Sequence, residues 1–469
     1  MTDEFQWLDA TAQAELVRDR EVKPDELVDA ALARIEELNP ILNAVVTPID
    51  QQPAQDGPFT GVPFLVKDLA IEISGTRFTE GSRFLRDNIS KHDQELAVRY
   101  RNAGLVTLGK TNTCEFGLMP ACEPVLFGPT HNPWAPGRST NGSSGGSAAA
   151  VASGMVPMAH GNDMGGSIRY PAAWCGLFGL KPTRARVPLG PEYGDFPGGF
   201  AMEHALTRSV RDSAALLDAV AGPEPGDPYW APPRERPYAD EARTDPGRLR
   251  IAVTTTPRGG QTVHPDYAVA AQDAIALMTN LGHDVEEARP EVFTDAYNEA
   301  FGTAYSAAFP WIVEYWVRHQ GREPEPDEIE PRTRAFWERG RHIPTSQYLL
   351  AIEEIQRVAR SVAAFFDRYD VWMTPTLGGP PVELGVMPGT ETDPMRGDEA
   401  MGTFLMFDGE LANLTGNPAM SVPLFFDSEG LPIGIHFMSA FGDEATLFRL
   451  AGQLEQAKPW AGRRPAMAS

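Results

Sequence analysis

Residues 141–150 read NGSSGGSAAA, and a dozen residues on the chain continues NDMGGSIRYPAAWCG at 162–176. Two glycine–serine clusters therefore sit about one helix apart, with no histidine directly beside either serine group. If one of these serines is a nucleophile, its proton must go to a residue elsewhere in the chain. The first cluster, Gly142-Ser143-Ser144-Gly145-Gly146, fits the G-x-S-x-G elbow, but that motif needs a strand running into it. The preceding GPTHNPWAPGRST has three prolines and no β-branched run. A phosphate cradle would need G-x-x-x-x-G-K-[ST], or G-x-G-x-x-G after a strand, and neither is present. The plain alternative is a Gly/Ser turn leading into a small-residue helix at 147–153. In the second cluster Gly165 and Gly166 precede Ser167. Glycines leave backbone N–H groups unobstructed, as an oxyanion-binding turn requires. A simple tight turn reads equally well there.

Lys67 stands in GVPFLVKDL, behind an apolar run. Its amine either reaches solvent at a strand end or is buried. A buried lysine loses its charge because desolvation disfavours the ammonium, and a neutral amine can serve as a general base.

Outward from these motifs, strands and helices alternate. Helical patterns cover 9–38, with Asp9 as a cap, Pro24 at a helix start and Asn39-Pro40 as the stop. GVPFLVKDLA (61–70), GLVTLGKTN (104–112) and VPMAHG (156–161) read as strands. A capped helix follows at 207–222, then a Pro/Gly-rich excursion at 222–247. LRIAVTT, a helix at 264–283 and HDVEEARP come next. Residues 292–369 are largely helical and aromatic-rich. Strands at 369–377, 416–424 and 432–438 precede a closing helix at 443–457. This alternation predicts one α/β unit spanning 1–469.

Of the 469 residues, 42% are hydrophobic and 22% charged, which is a globular composition. No apolar run approaches a membrane span. The acidic start, MTDEFQWLDA, has no basic and apolar leader pattern. Three cysteines (Cys114, Cys122, Cys175) without C-x-x-C spacing read as reduced thiols, so a cytoplasmic location is expected. The net charge is −24, and only six of the 40 basic residues are lysine. An acidic surface repels nucleic acid and anionic lipid, so neither is expected as a partner. Nine histidines are scattered, with no H-E-x-x-H and no metal-ligand spacing. His131 and His160 are the two nearest the clusters in sequence. Glu115, Phe116 and Cys122 either approach a pocket or belong to core packing. Cys175 fits a buried apolar wall. The stretch 296–316 reads as core, with a substrate channel as the alternative.

GVPFLVKD, GPTHNPW, GSSGGSAAAVASG, DMGGSIRYPAAWCGLFGLKPT, the TPT at 374–376 and TGNPAMSVP together resemble the amidase signature family. The likeness runs from about residue 9 to Trp460 and is weakest at 223–345. FGPTHNPW and HALTRSVRDSAALLDAVAGPEPGDPYWAPP carry a narrower similarity to the hydrolases of cyclic 6-aminohexanoate dimer.

The resemblance implies a mixed, twisted sheet sandwiched between helices and an amide-cleaving activity through an acyl-enzyme. It implies Ser167 as nucleophile, Ser143 as a bridging serine after a cis peptide bond, and Lys67 as base. It places the oxyanion hole at the N–H groups of Met164, Gly165, Gly166 and Ser167. Gly142 would ease the cis geometry, and Asp163 with Arg169 would hold the loop. Two positions depart from the family pattern. Asn141 stands where glycine is common, and Asn162 where Ser or Thr is frequent, which puts the hydrogen bonding around the triad in question. No cofactor and no metal are implied. The expected partner is a small neutral amide, cyclic or linear 6-aminohexanoate oligomers among them, with aryl amides, carbamates and esters as related acyl substrates. Residues 223–345 are expected on the substrate side, and a homodimer is compatible with the reading. The alternative is the glutaminase subunit of a tRNA-dependent amidotransferase.

Overall fold

The computed structural model describes residues 5–49 and 56–468; the first four residues of the acidic N-terminal stretch lie outside these. Among the described residues, eleven strands form one sheet. In chain order the strands are β1 (Val45–Pro48), β2 (Pro63–Lys67), β3 (Val106–Thr111), β4 (His131–Asn132), β5 (Ala135–Ser139), β6 (Met158–Asp163) and β7 (Phe178–Lys181). They continue with β8 (Met202–Thr207), β9 (Arg250–Val253), β10 (Asp284–Glu287), β11 (Val371–Pro375), β12 (Ala419–Phe426) and β13 (Pro432–Ser439). The sheet order is β1-β3-β2-β6-β8-β7-β12-β13-β11-β9-β10, while β4 and β5 pair as a separate ribbon. The pairs β3–β2, β2–β6, β11–β9 and β9–β10 are parallel and the other sheet pairs antiparallel, so the fold is α/β with a mixed sheet.

Every residue of β2, β3, β6, β7 and β8 is buried. Strands covered on both faces lose the in–out alternation and read as short apolar runs. Each Leu, Ile or Phe so enclosed contributes ~1.5–3 kcal/mol. On one face sits the helix Gly145–Ala152, whose eight residues are all buried. Its glycines and alanines allow the close approach that a wholly buried helix requires.

The expected helical and strand regions are found, with three differences. The second helix does not stop at Asn39-Pro40 but runs Pro24–Leu42 and ends on Asn43 in the left-handed region. The Asn39 side chain accepts from Ala44 and Val45 N–H and donates to the Val45 carbonyl, which ties the exit to the helix. Strands β1, β7 and β8 were not apparent from sequence; MEHALT is rich in helix formers, and tertiary pairing with β6 overrides that preference. A strand, β5, does lead toward the first Gly/Ser cluster, contrary to the expectation from its prolines.

Candidate active site

Strands β2 and β6 are parallel neighbours, with Leu65 opposite Ala159. Their C-terminal ends therefore bring Lys67 and Asn162 together, at the edge where open α/β sheets place their ligands. Lys67 is fully buried. Its Nζ lies 2.6 Å from Ser143 Oγ and donates to Asn162 Oδ1 at 2.6 Å. Burial pushes its ammonium down to about 8, with the charges of Glu203 and Asp163 opposing the shift only in part. Asn162 is thus in direct contact with the lysine, and its Nδ2 donates to the Leu69 carbonyl. A carboxamide oxygen only accepts, so one amine hydrogen is fixed on Asn162. The lone pair of a neutral amine is then free for Ser143.

Ser143 stands in the turn before the Gly145–Ala152 helix, and the Gly142–Ser143 peptide is cis. A side chain at 142 would put Cβ 2.1 Å from the Ala121 carbonyl oxygen, so only glycine fits. The neighbouring Ser144 is fully buried and its hydroxyl donates to the Asn162 carbonyl. That commitment disqualifies it as an elbow nucleophile, although β5 runs toward it. Ser144 N–H donates to the Ser167 carbonyl at 3.3 Å, which joins the two glycine–serine clusters.

Ser167 lies in the turn after β6 and is partly exposed, on the wall of a cavity of about 840 Å³. Asp163 holds this turn. Its carboxylate accepts from the N–H groups of Gly166 at 2.8 Å and Ile168 at 3.1 Å, from Arg169 and from Asn413 Nδ2. Burial alone would raise this carboxyl, but Arg169 and Asn413 hold it well below the usual range. Arg169 spends all five donors on Asp163, the Gly409 carbonyl, His436 Nε2 and Asn413 Oδ1. Gly166 has φ +124, and a Cβ there would meet the Tyr170 ring at 2.0 Å.

The oxyanion expectation needs one correction: the Gly166 N–H points to Asp163 rather than into the cavity. Among the described residues, the N–H groups of Met164, Gly165 and Ser167 make no hydrogen bond. The Tyr305 hydroxyl donates to the Met164 carbonyl and so fixes the same turn from the long helix Asp295–Gln320.

The histidines near the site face elsewhere. His160 Nδ1 accepts from the Lys67 backbone N–H, which puts its proton on Nε2, facing Glu203 at 2.6 Å. His436 accepts from Arg169. Burial, and then that guanidinium, hold it well below its ordinary value and therefore neutral. His131 sits in the β4–β5 ribbon. Glu115 accepts from Ser82 and from the Glu330 N–H away from the cavity, and Phe116 joins the core. Cys122 and Cys175 are buried. The residues just after Phe116, Gly117 to Pro120, do line the cavity. From 296–316, Phe301, Tyr305 and Phe309 face it, whereas Ile312, Val313 and Trp316 are core. Asp408, Glu410 and Asn413 were missed; they immediately precede the TGNPAMSVP stretch that carried the resemblance.

A family model described as Amidase matches residues 26–448. The 6-aminohexanoate-cyclic-dimer hydrolase of Paenarthrobacter ureafaciens is 39% identical over 98% of this chain and 97% of that protein. A solved structure of 6-aminohexanoate cyclic dimer hydrolase complexed with substrate superposes with a TM-score of 0.93 at 36% identity, covering 99% of this chain and 100% of that one. A glutamyl-tRNA(Gln) amidotransferase subunit of Thermotoga maritima is more distant, at 27% identity and a TM-score of 0.77 over 97% of this chain and 96% of that one. No helix among the described residues is long and apolar enough to cross a membrane.

Proposed function

The chain belongs to the amidase signature family and is an amide-cleaving hydrolase, and on that premise we propose that Ser167 attacks the amide carbonyl, with its proton relayed through Ser143 to neutral Lys67. The observation that carries this reading is the 2.6 Å contact between Ser143 Oγ and a fully buried lysine amine, behind a serine that opens on the cavity. The tetrahedral oxyanion forms against the unengaged N–H groups of Gly165 and Ser167, with Met164 N–H beside them. Preorganised donors of this kind are worth ~10²–10³ in rate each. The lysine ammonium returns the proton through Ser143 to the leaving amine. Water then repeats the relay to release the acid.

Small neutral amides are the proposed substrates. Phe301, Tyr305 and Phe309 offer an aromatic wall, and each buried methylene of an acyl chain contributes ~0.8 kcal/mol. Arg169 has no donor left for a substrate carboxylate. The names of the relatives put cyclic and linear 6-aminohexanoate oligomers first among the candidates. The test is hydrolysis of an amide panel by the purified chain alone, with Ser167→Ala as control. Neutral aliphatic or aromatic amides should exceed glutamine in kcat/KM by at least ~10-fold. A preference for glutamine, or activity only with a partner protein, would move the chain to the amidotransferase class.

A further inference from the structure

Besides the aromatic wall, the cavity is lined by five charged side chains: Arg258, Arg332, Asp398, Asp408 and Glu410. Four of these are paired with one another. Arg258 donates to Asp408 Oδ1 at 2.8 Å and reaches Asn298, and Arg332 donates to Asp398 Oδ1 at 2.7 Å. Glu410 has no such partner. Among the described residues its side-chain partner is the Tyr297 hydroxyl, at 3.4 Å to Oε1, and its own backbone N–H also bonds the carboxyl. It sits three residues before Asn413 and next to Gly409, whose carbonyl accepts from Arg169. Its backbone is therefore tied to the same Arg169–Asp163 clamp that holds the Ser167 turn. Glu410 is half-buried and lines the cavity.

We propose that Glu410 is a specificity-determining residue that accepts a hydrogen bond from a second nitrogen donor on the substrate, an ammonium or a second amide N–H, and that it rejects a carboxylate there. This deepens the hydrolase reading and rests on it. The geometry favours a donor because the Glu410 carboxyl meets no unpaired cation. The two guanidiniums whose charge reaches it are Arg258, bound to Asp408, and Arg169, whose donors are spent. The other groups facing it are Asp408 on its own segment, Tyr297 and Tyr305 on the Asp295–Gln320 helix, and Tyr170 beside the Ser167 turn. A neutral aliphatic chain leaves Glu410 unmatched, and an anion meets two carboxylates. Burial, and then the charge of Asp408, raise the Glu410 carboxyl to about 7. Its anion, and with it the attraction for a cation, should therefore appear as pH rises through neutrality.

The test compares three amides of equal length: 6-aminohexanamide, hexanamide and adipic acid monoamide. A matched pair carries the amine on the leaving side, N-acetyl-1,6-diaminohexane against N-hexylacetamide. In the wild-type chain at least one amine-bearing amide should exceed its plain counterpart in kcat/KM, and adipic acid monoamide should be the poorest. That ratio should rise at least ~10-fold from pH 5.5 to 8.5, while the amine stays protonated throughout. Glu410→Gln should reduce the ratio by ~10-fold and flatten its pH dependence. Because the wild-type pH dependence is read without any variant, the proposal stays testable if the variant folds poorly. Ratios that stay near one in both series, or are unchanged by Glu410→Gln, would overturn the role of Glu410 and leave the hydrolase reading intact. Absence of any amide hydrolysis would remove both.

Discussion

Lys67, Ser143 and Ser167 stand on three short stretches of chain, whereas the cavity wall facing them draws on five separate stretches, around 117–120, 258–261, 298–309, 332–336 and 398–410. The reacting side is rigid by construction. Its residues sit at the ends of wholly buried parallel strands and in turns where a glycine Cβ would strike backbone or a ring. The wall is made of side chains on helices and loops, joined by salt bridges that reach solvent, such as Arg332 with the exposed Asp398. In the proposed triad, chemistry and selectivity are carried by different parts of the molecule. Changes on the first side should act on kcat and on pH dependence. Changes on the second should act on KM and on substrate ranking.

The largest expected effect is at the nucleophile: Ser167→Ala should lower kcat by at least ~10³-fold while circular dichroism and thermal melting stay those of the wild type. Lys67→Ala should follow at ~10²-fold or more, the scale of a lost general base. The wild-type kcat/KM should climb with pH and level off above about 8, because the base acts when deprotonated and burial sets its titration there. In Lys67→Ala that rise should vanish. A histidine variant that costs more than Lys67→Ala would break the assignment.

Asn162→Ala should cost ~10-fold in kcat, and it adds a second readout. The carboxamide oxygen favours the ammonium form of Lys67, so its removal should lower the lysine's titration and move the pH rise to lower values. An upward move would contradict this role. Tyr305→Phe tests where the two sides meet, since it removes the bond to the Met164 carbonyl but keeps the ring on the wall. A few-fold loss in kcat with KM little changed is expected. Phe301→Ala should do the reverse, raising KM for long-chain amides several-fold with kcat little changed. Equal effects of these two variants on both parameters would erase the distinction between the sides.

The same contrast explains what could be read from sequence. The turns around Ser143 and Ser167 are local, and their glycines, serines and Asp163 lie within about 25 residues of one another, so the motif itself displays them. Lys67 was harder to single out. Lys110 and Lys181 also stand at or next to strand ends, and all three lysines are fully buried. Lys110 lies 3.8 Å from Asp68 and over the Phe78 ring, and Lys181 donates to the Pro182 carbonyl. Of the three, Lys67 alone meets a serine, because the turn before the Gly145–Ala152 helix sets Ser143 beside it while β6 brings Asn162. The contact of Asn162 with that lysine was visible only as a departure from a family pattern. Glu410, Asp408 and Asn413 reach the site from some 240 residues away through the Arg169 clamp, and no local periodicity reports such a contact. Strands β7 and β8 escaped notice because four- and six-residue buried segments carry too little pattern to stand against helix-forming composition.

In the proposed relay Ser167 is the nucleophile and Ser143 passes its proton on. A fluorophosphonate labels the serine that attacks, so the most direct measurement is intact mass after treatment, followed by peptide mapping. With Ser167 as the nucleophile, a single adduct is expected, on Ser167 within the 162–170 region, and none in Ser167→Ala. An adduct on Ser143 or Ser144 would contradict it and return the nucleophile to the first glycine–serine cluster.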